Sequence, residues 1–221
     1  MNERADKAKP KPSPHRVVDA RFVAAGSTTS DLPPGQHFEV AFAGRSNVGK
    51  SSLMNSLMER RSLVRTSKTP GATRTVNVFE ARLASGDTIA LADLPGYGYA
   101  QRAKSERKAW GTMLEGYLKD RAELRALVVL VDVRRGANED DRSLIEFAKT
   151  LPRPLPVVVC ATKLDKLPRS RRVPEVSRLS RDLGVAAVGY SAVTHDGRDA
   201  LWSRLLALRS ATAEPMGPPR V

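Results

Sequence analysis

The stretch Gly44-Arg45-Ser46-Asn47-Val48-Gly49-Lys50-Ser51 has the residue types and spacing to hold a phosphate chain. The pattern G-x-x-x-x-G-K-[ST] needs its glycines so that the backbone can bend until its N–H groups face phosphate oxygens. Lys50 brings a positive charge to β- and γ-phosphates, and Ser51 offers its hydroxyl to Mg²⁺. Asp93-Leu94-Pro95-Gly96 adds a carboxylate that can hold a water on Mg²⁺, and a glycine whose N–H can donate to a γ-phosphate. Thr162-Lys163-Leu164-Asp165 ends in a carboxylate able to accept from both N1–H and the exocyclic amine of guanine. Adenine presents an acceptor where guanine has N1–H, so the contact selects GTP over ATP. After Tyr190, the pair Ser191-Ala192 offers a backbone N–H that can donate to guanine O6. No residue stands out as a general base, so no catalytic residue is assigned.

These groups work together only if the chain folds to bring them to one edge. Val40-Ala41-Phe42-Ala43 reads as a buried strand, and Ser52 to Met58 has helical spacing, so the phosphate loop joins a strand to a helix. Asp93 closes the apolar strand Thr88–Asp93, which Ser85-Gly86-Asp87 joins as a hairpin to the alternating strand Val76–Leu83. An acid at a strand's C-terminal end lies where α/β sheets place ligands. Leu127–Val133 and Pro156–Asp165 read as further parallel strands, Val185–Tyr190 as the last one, and Val17–Ala24 as an edge strand. Helices are expected over Ala103–Lys119, over Asn138–Leu151 with Asn138 as its cap, and over Gly197–Ser210. The fold class is therefore α/β, a single phosphate-loop domain with a mostly parallel central sheet and helices on both faces. Its expected bounds are residues 21–210, with a basic disordered tail at 1–20 and a proline-broken tail at 211–221.

The chain has 221 residues, 41% of them hydrophobic, which suffices for one substantial core. The apolar runs are too short to span a bilayer, and the N-terminus lacks a signal-type apolar segment. A lone cysteine, Cys160, sits inside an apolar run and reads as a small core residue of a cytoplasmic protein. The formal charge of +13 points to partners rich in phosphate, RNA first among them. Arg169, Arg171, Arg172, Arg178 and Arg181 fit either a solvated helix face or a phosphate-contacting one.

Five elements stand in one order: G-R-S-N-V-G-K-S, T-P-G-A-T-R-T, D-L-P-G, T-K-L-D and S-A. This order resembles the translation-factor-related GTPases. Ser67-Lys68-Thr69-Pro70-Gly71 together with Asp93-Leu94-Pro95-Gly96-Tyr97-Gly98-Tyr99-Ala100 is similar to the EngB (YihA/YsxC) family of bacterial GTP-binding proteins. The resemblance implies a single G domain that binds GTP and GDP, serves assembly of the large ribosomal subunit, and is needed for normal cell division and septation. It implies phosphate contacts from Gly44 to Ser51, nucleotide contacts from Gly71, Ala72, Thr73, Arg74 and Thr75, and Mg²⁺ ligation by Ser51 and Thr73. Thr69 and Thr75 compete for that metal role; Thr73 is chosen because Gly-x-Thr matches the related pattern. Asp93 to Gly96 would form the γ-phosphate sensor, and Thr162 to Asp165 with Tyr190, Ser191 and Ala192 the guanine site.

Thr162 stands where most GTPases carry Asn. Tyr97 stands where many place a water-orienting Gln, so slow intrinsic hydrolysis is expected. Asn47 resembles the residue of GTPases that hold K⁺ against the phosphates, so K⁺ stimulation is expected as well. The chain should act as a monomer. Two other readings share the motifs: a GTPase acting on another RNA such as tRNA, and an RNA-binding protein with a passive guanine nucleotide.

Overall fold

A computed structural model describes residues 13–64, 75–97 and 104–211, the side chains of 104–110 and 211 excepted. Residues 1–12 and 212–221 of the expected tails, and the loop residues Gly71, Ala72, Thr73 and Arg74, lie outside the described residues.

The near-continuous apolar runs form strands buried on both faces. These are β2 (Phe38–Gly44), β4 (Thr88–Asp93), β5 (Leu124–Asp132) and β6 (Val157–Thr162). With β1 (Val17–Gly26), β3 (Val76–Leu83) and β7 (Ala187–Gly189) they make a seven-stranded sheet in the order β1-β3-β4-β2-β5-β6-β7. The β2–β4, β2–β5, β5–β6 and β6–β7 pairs are parallel; β1–β3 and the β3–β4 hairpin are antiparallel. Burial follows the period of two that strands impose. Val40, Phe42, Val128 and Leu130 point to one side, and Ala41, Ala43, Leu127, Val129 and Val131 to the other.

The first side is covered by α1 (Lys50–Leu57) and α5 (Arg198–Ala211), through Leu53, Met54, Leu57, Leu201, Trp202 and Leu205. The second is covered by α2 (Lys104–Asp120), α3 (Glu139–Thr150) and α4 (Arg169–Leu183). From these helices come Leu114, Tyr117, Leu118, Leu144, Ile145, Ala148, Leu179 and Leu183. Asn138 caps α3: its side chain accepts the Asp141 N–H at 3.0 Å, and the Asp141 carboxylate accepts the Asn138 N–H at 2.9 Å. Cys160 is fully buried on the α1 side, and burial pushes its thiol well up.

The elements stand where the sequence reading puts them, with ends that differ by a few residues. β1 starts at Val17 as the sequence reading has it and runs on to Gly26, pairing along β3 from Val17 opposite Leu83 to Gly26 opposite Val76, so residues 17–20, counted above with the tail, belong to the sheet. β5 starts at Leu124, three residues early, since Glu39 of β2 pairs with it there. β7 is confined to Ala187–Gly189, where β6 gives it a ladder. Among the described residues no helix is long and apolar enough to cross a membrane.

Candidate nucleotide site

Parallel neighbours end at the same edge of a sheet, so the order β4-β2-β5-β6-β7 aligns four of the five sequence elements. Gly44 ends β2 and the loop Arg45–Gly49 leads into α1. Gly49 has φ of 103°, a left-handed conformation that other residues rarely adopt. Asp93 ends β4, next to β2, and pairing runs on past both strand ends. Leu94 N–H donates to Phe42 O at 3.1 Å, Tyr97 N–H to Gly44 O at 3.3 Å, and Ser46 N–H to Tyr97 O at 3.1 Å. The phosphate loop and the D-L-P-G turn are thereby zipped together, with Gly96 so near that an added Cβ would sit 3.2 Å from Ser46 Oγ. The Lys50 ammonium pairs with the Asp93 carboxylate, their side chains 11% and 6% exposed. Pro95 is buried beside them and Ser51, one residue into α1, is half-buried.

The T-K-L-D stretch arrives on β6, beyond β5. Thr162 Oγ1 donates to the Val48 carbonyl at 2.8 Å and Lys163 Nζ to the Asn47 carbonyl at 2.8 Å, so this strand is stapled to the phosphate loop from below. Leu164 N–H donates to Tyr190 O at 3.1 Å, and Ser191 Oγ donates to Asp165 Oδ1 at 2.8 Å. The same Ser191 oxygen accepts the N–H groups of Val193 and Thr194 at 3.3 and 3.1 Å. Burial opposes ionisation of Asp165, but the Ser191 hydroxyl and its other hydrogen bonds prevail and hold its carboxyl below the usual range. Tyr190 is fully buried, its hydroxyl 2.9 Å from Ser56 Oγ. Burial pushes this phenol up to about 12. Ala192 follows, half-buried. A cavity of about 170 Å³ opens beside the first half of the phosphate loop, between Arg45, Ser46 and Asn47 on one wall and Asp132, Arg135 and Lys163 on the other.

The structure thus gathers Gly44–Ser51, Asp93–Gly96, Thr162–Asp165 and Tyr190–Ala192 at one edge. Of Gly71 to Thr75, only Thr75 is described, half-buried just before β3. Tyr97 stands where many GTPases place a water-orienting Gln. Its ring is turned into the core, 4% exposed, and its hydroxyl donates to Asp141 Oδ1 at 2.6 Å. Sequence reasoning also missed Asp132, which accepts hydrogen bonds from Arg134 and pairs with Lys163 at 3.1 Å. An acid ending an apolar strand was the available signal, the same that marks Asp93.

Known proteins resemble this chain. The family described as 50S ribosome-binding GTPase matches residues 39–163, from β2 through the lysine of T-K-L-D. The fold and its edge define a phosphate-loop GTPase, and the protein binds GTP. Relatives named probable GTP-binding protein EngB extend the match to nearly the whole chain. The one from Geobacter sulfurreducens is 42% identical over 202 residues, covering 90% of this chain and 95% of its own. The one from Anaeromyxobacter sp. strain K is 45% identical over 215 residues, covering 91% and 99%. The chain belongs to the EngB family of GTP-binding proteins. A crystal structure of a probable GTP-binding protein engB superposes with a TM-score of 0.61 at 25% identity, covering 78% of this chain and 99% of that one. Era of Aquifex aeolicus bound to GDP.AlF4⁻ shares the fold, with a TM-score of 0.65 at 24% identity over 83% of this chain and 58% of its own.

Proposed function

We propose that this GTPase is a nucleotide-switched assembly factor for the large ribosomal subunit. The observation that carries the reading is the match of residues 39–163 to GTPases described as binding the 50S ribosome. The charge of +13 supports it, since rRNA presents a dense array of phosphates. The arginines of α4 contribute less than their number suggests. Arg171 and Arg178 pair with Glu175, and Arg172 with Asp196, though such surface pairs are weak and exchange readily for phosphate.

In this reading Gly44 to Ser51 cradle the phosphates, Lys50 turns from Asp93 to the β- and γ-phosphates, and the Gly96 N–H senses the γ-phosphate. Asp165 reads guanine, held in place by Ser191. Ser51 follows Lys50 in the first turn of α1, and Lys50 pairs with Asp93, so a hydroxyl and a carboxylate are available at this end of the sheet. Such hard oxygen donors suit Mg²⁺, which takes few protein ligands and completes its shell with phosphate and water. Ser51 and Thr73 would hold it directly and Asp93 through water; the ion neutralises charge on the phosphates. Nucleotide state then sets the loops through Thr75 and beyond Tyr97, and with them the surface offered to rRNA. A cytoplasmic setting and an effect on cell division and septation follow from dependence of growth on large subunits. Depletion of the protein in its own host tests the reading. Accumulation of large-subunit precursors, at unchanged small-subunit levels, is expected; an unaltered subunit profile would refute it.

A further inference from the structure

Asp132 lies on the sheet edge between the phosphate loop and the base-recognition strand, and no nucleotide motif includes it. It is the last residue of β5, 7% exposed, and pairs in register with Thr162 of β6. Its Oδ1 accepts the Arg134 N–H at 3.1 Å and Nε at 2.9 Å, and its Oδ2 accepts Arg134 Nη2 at 2.7 Å. Oδ2 also lies 3.1 Å from Lys163 Nζ. Burial opposes this charge, yet the hydrogen bonds from Arg134 and Lys163 hold the carboxyl far below its ordinary range, so it stays an anion. Lys163 needs such an anchor. Its stem is long and flexible, its side chain is 30% exposed, and its backbone sits at φ 60°, a left-handed conformation unusual for a lysine. Two acceptors fix its tip, the Asp132 carboxylate and the Asn47 carbonyl.

We infer that Asp132 is a positioning residue for guanine-nucleotide binding, acting by pinning Lys163 across the phosphate loop. A side chain already immobilised loses little freedom when the nucleotide arrives, which is preorganisation in the ordinary thermodynamic sense. The anion also keeps the ammonium drawn toward the loop and away from solvent. The inference rests on Lys163 lying against the bound nucleotide.

The test is a double-mutant cycle on the full chain, read as the Kd for a fluorescent GDP analogue in Mg²⁺ buffer. Asp132→Asn keeps the shape and an oxygen for the Arg134 N–H but removes the charge. It should weaken GDP binding about tenfold, mostly through faster dissociation. In a Lys163→Ala background the same change should cost less than about twofold. Arg134→Ala, which leaves Lys163 its carboxylate, should keep the Kd within about twofold of the parent. An equal cost of Asp132→Asn in both backgrounds would overturn the inference, because a merely structural acid does not couple to Lys163. If Lys163→Ala weakens binding and Asp132→Asn does not, the inference alone falls. If Lys163→Ala binds GDP as the parent does, the assignment of Lys163 falls and the inference with it. Should Asp132→Asn not fold, Asp132→Ser takes its place in the same cycle.

Discussion

Replacing Tyr97 by Phe removes one oxygen from a place where the fold depends on it. The hydroxyl donates at 2.6 Å to Asp141 Oδ1, and the two residues are 4% and 2% exposed. Asp141 also closes the capping box of α3 through the Asn138 N–H. Burial raises its carboxyl above the ordinary 3.8, opposed by the Tyr97 hydroxyl and the Asn138 N–H. A hydrogen bond to a charged group contributes about 1.5–3 kcal/mol, and its loss leaves the carboxylate in a dry site with one donor fewer. For a domain of this size the expected fall in Tm is about 3–12 °C at neutral pH. The sign with pH follows from linkage. Tyr97 favours the ionised acid, so the penalty is full above the folded pKa of Asp141 and shrinks as pH falls through it. Asp141→Asn removes the charge, and in that background Tyr97→Phe should cost only about 1 kcal/mol. Calorimetric scans of the four proteins between acid and neutral pH decide it. A penalty below about 0.5 kcal/mol at neutral pH, or one unchanged where Asp141 is protonated, would refute the reasoning.

Asp165→Asn should weaken GTP by roughly 10- to 150-fold and improve xanthosine triphosphate, whose ring carries a carbonyl where guanine has its amine. Competition binding reads the switch, and unchanged guanine affinity would remove Asp165 from the site. Arg121→Met leaves Glu39, 0% exposed, without the guanidinium that donates to it at 2.9 Å. Denaturant unfolding should show a loss of about 3–5 kcal/mol, because the Tyr117 hydroxyl, which donates to Glu39 Oε1 at 2.6 Å, cannot neutralise the buried charge. GTP turnover should run faster in KCl than in NaCl of the same ionic strength if Asn47 helps to hold K⁺, and equal rates would exclude that role.

The sheet was readable from the sequence because its strands are apolar runs closed by polar or glycine residues. Val76–Leu83 and Thr88–Asp93 fall where alternation and the hairpin signal put them. The edge positions of Gly44, Asp93 and Thr162 follow from the same logic, since a strand's polar terminus is where an α/β sheet meets solvent. What could not be read is long-range pairing. Nothing in the spacing of Tyr97 shows that its ring turns inward to Asp141, forty-four residues on. A phenol carries enough apolar surface to favour the core once a buried acceptor awaits it. Asp132 was passed over for a related reason. The apolar run Leu127–Val131 explained the strand, and only the parallel register beside Thr162 brings the acid to Lys163.

Binding of the purified protein to large ribosomal subunits, compared with GDP and with a non-hydrolysable GTP analogue at one stated salt concentration, tests the central claim most directly. The switch account predicts tighter binding with the GTP analogue, weakening as salt rises because phosphate contacts release counterions. Equal binding in both nucleotide states would contradict it in favour of a passive nucleotide, and no binding in either state would remove the ribosome from the account.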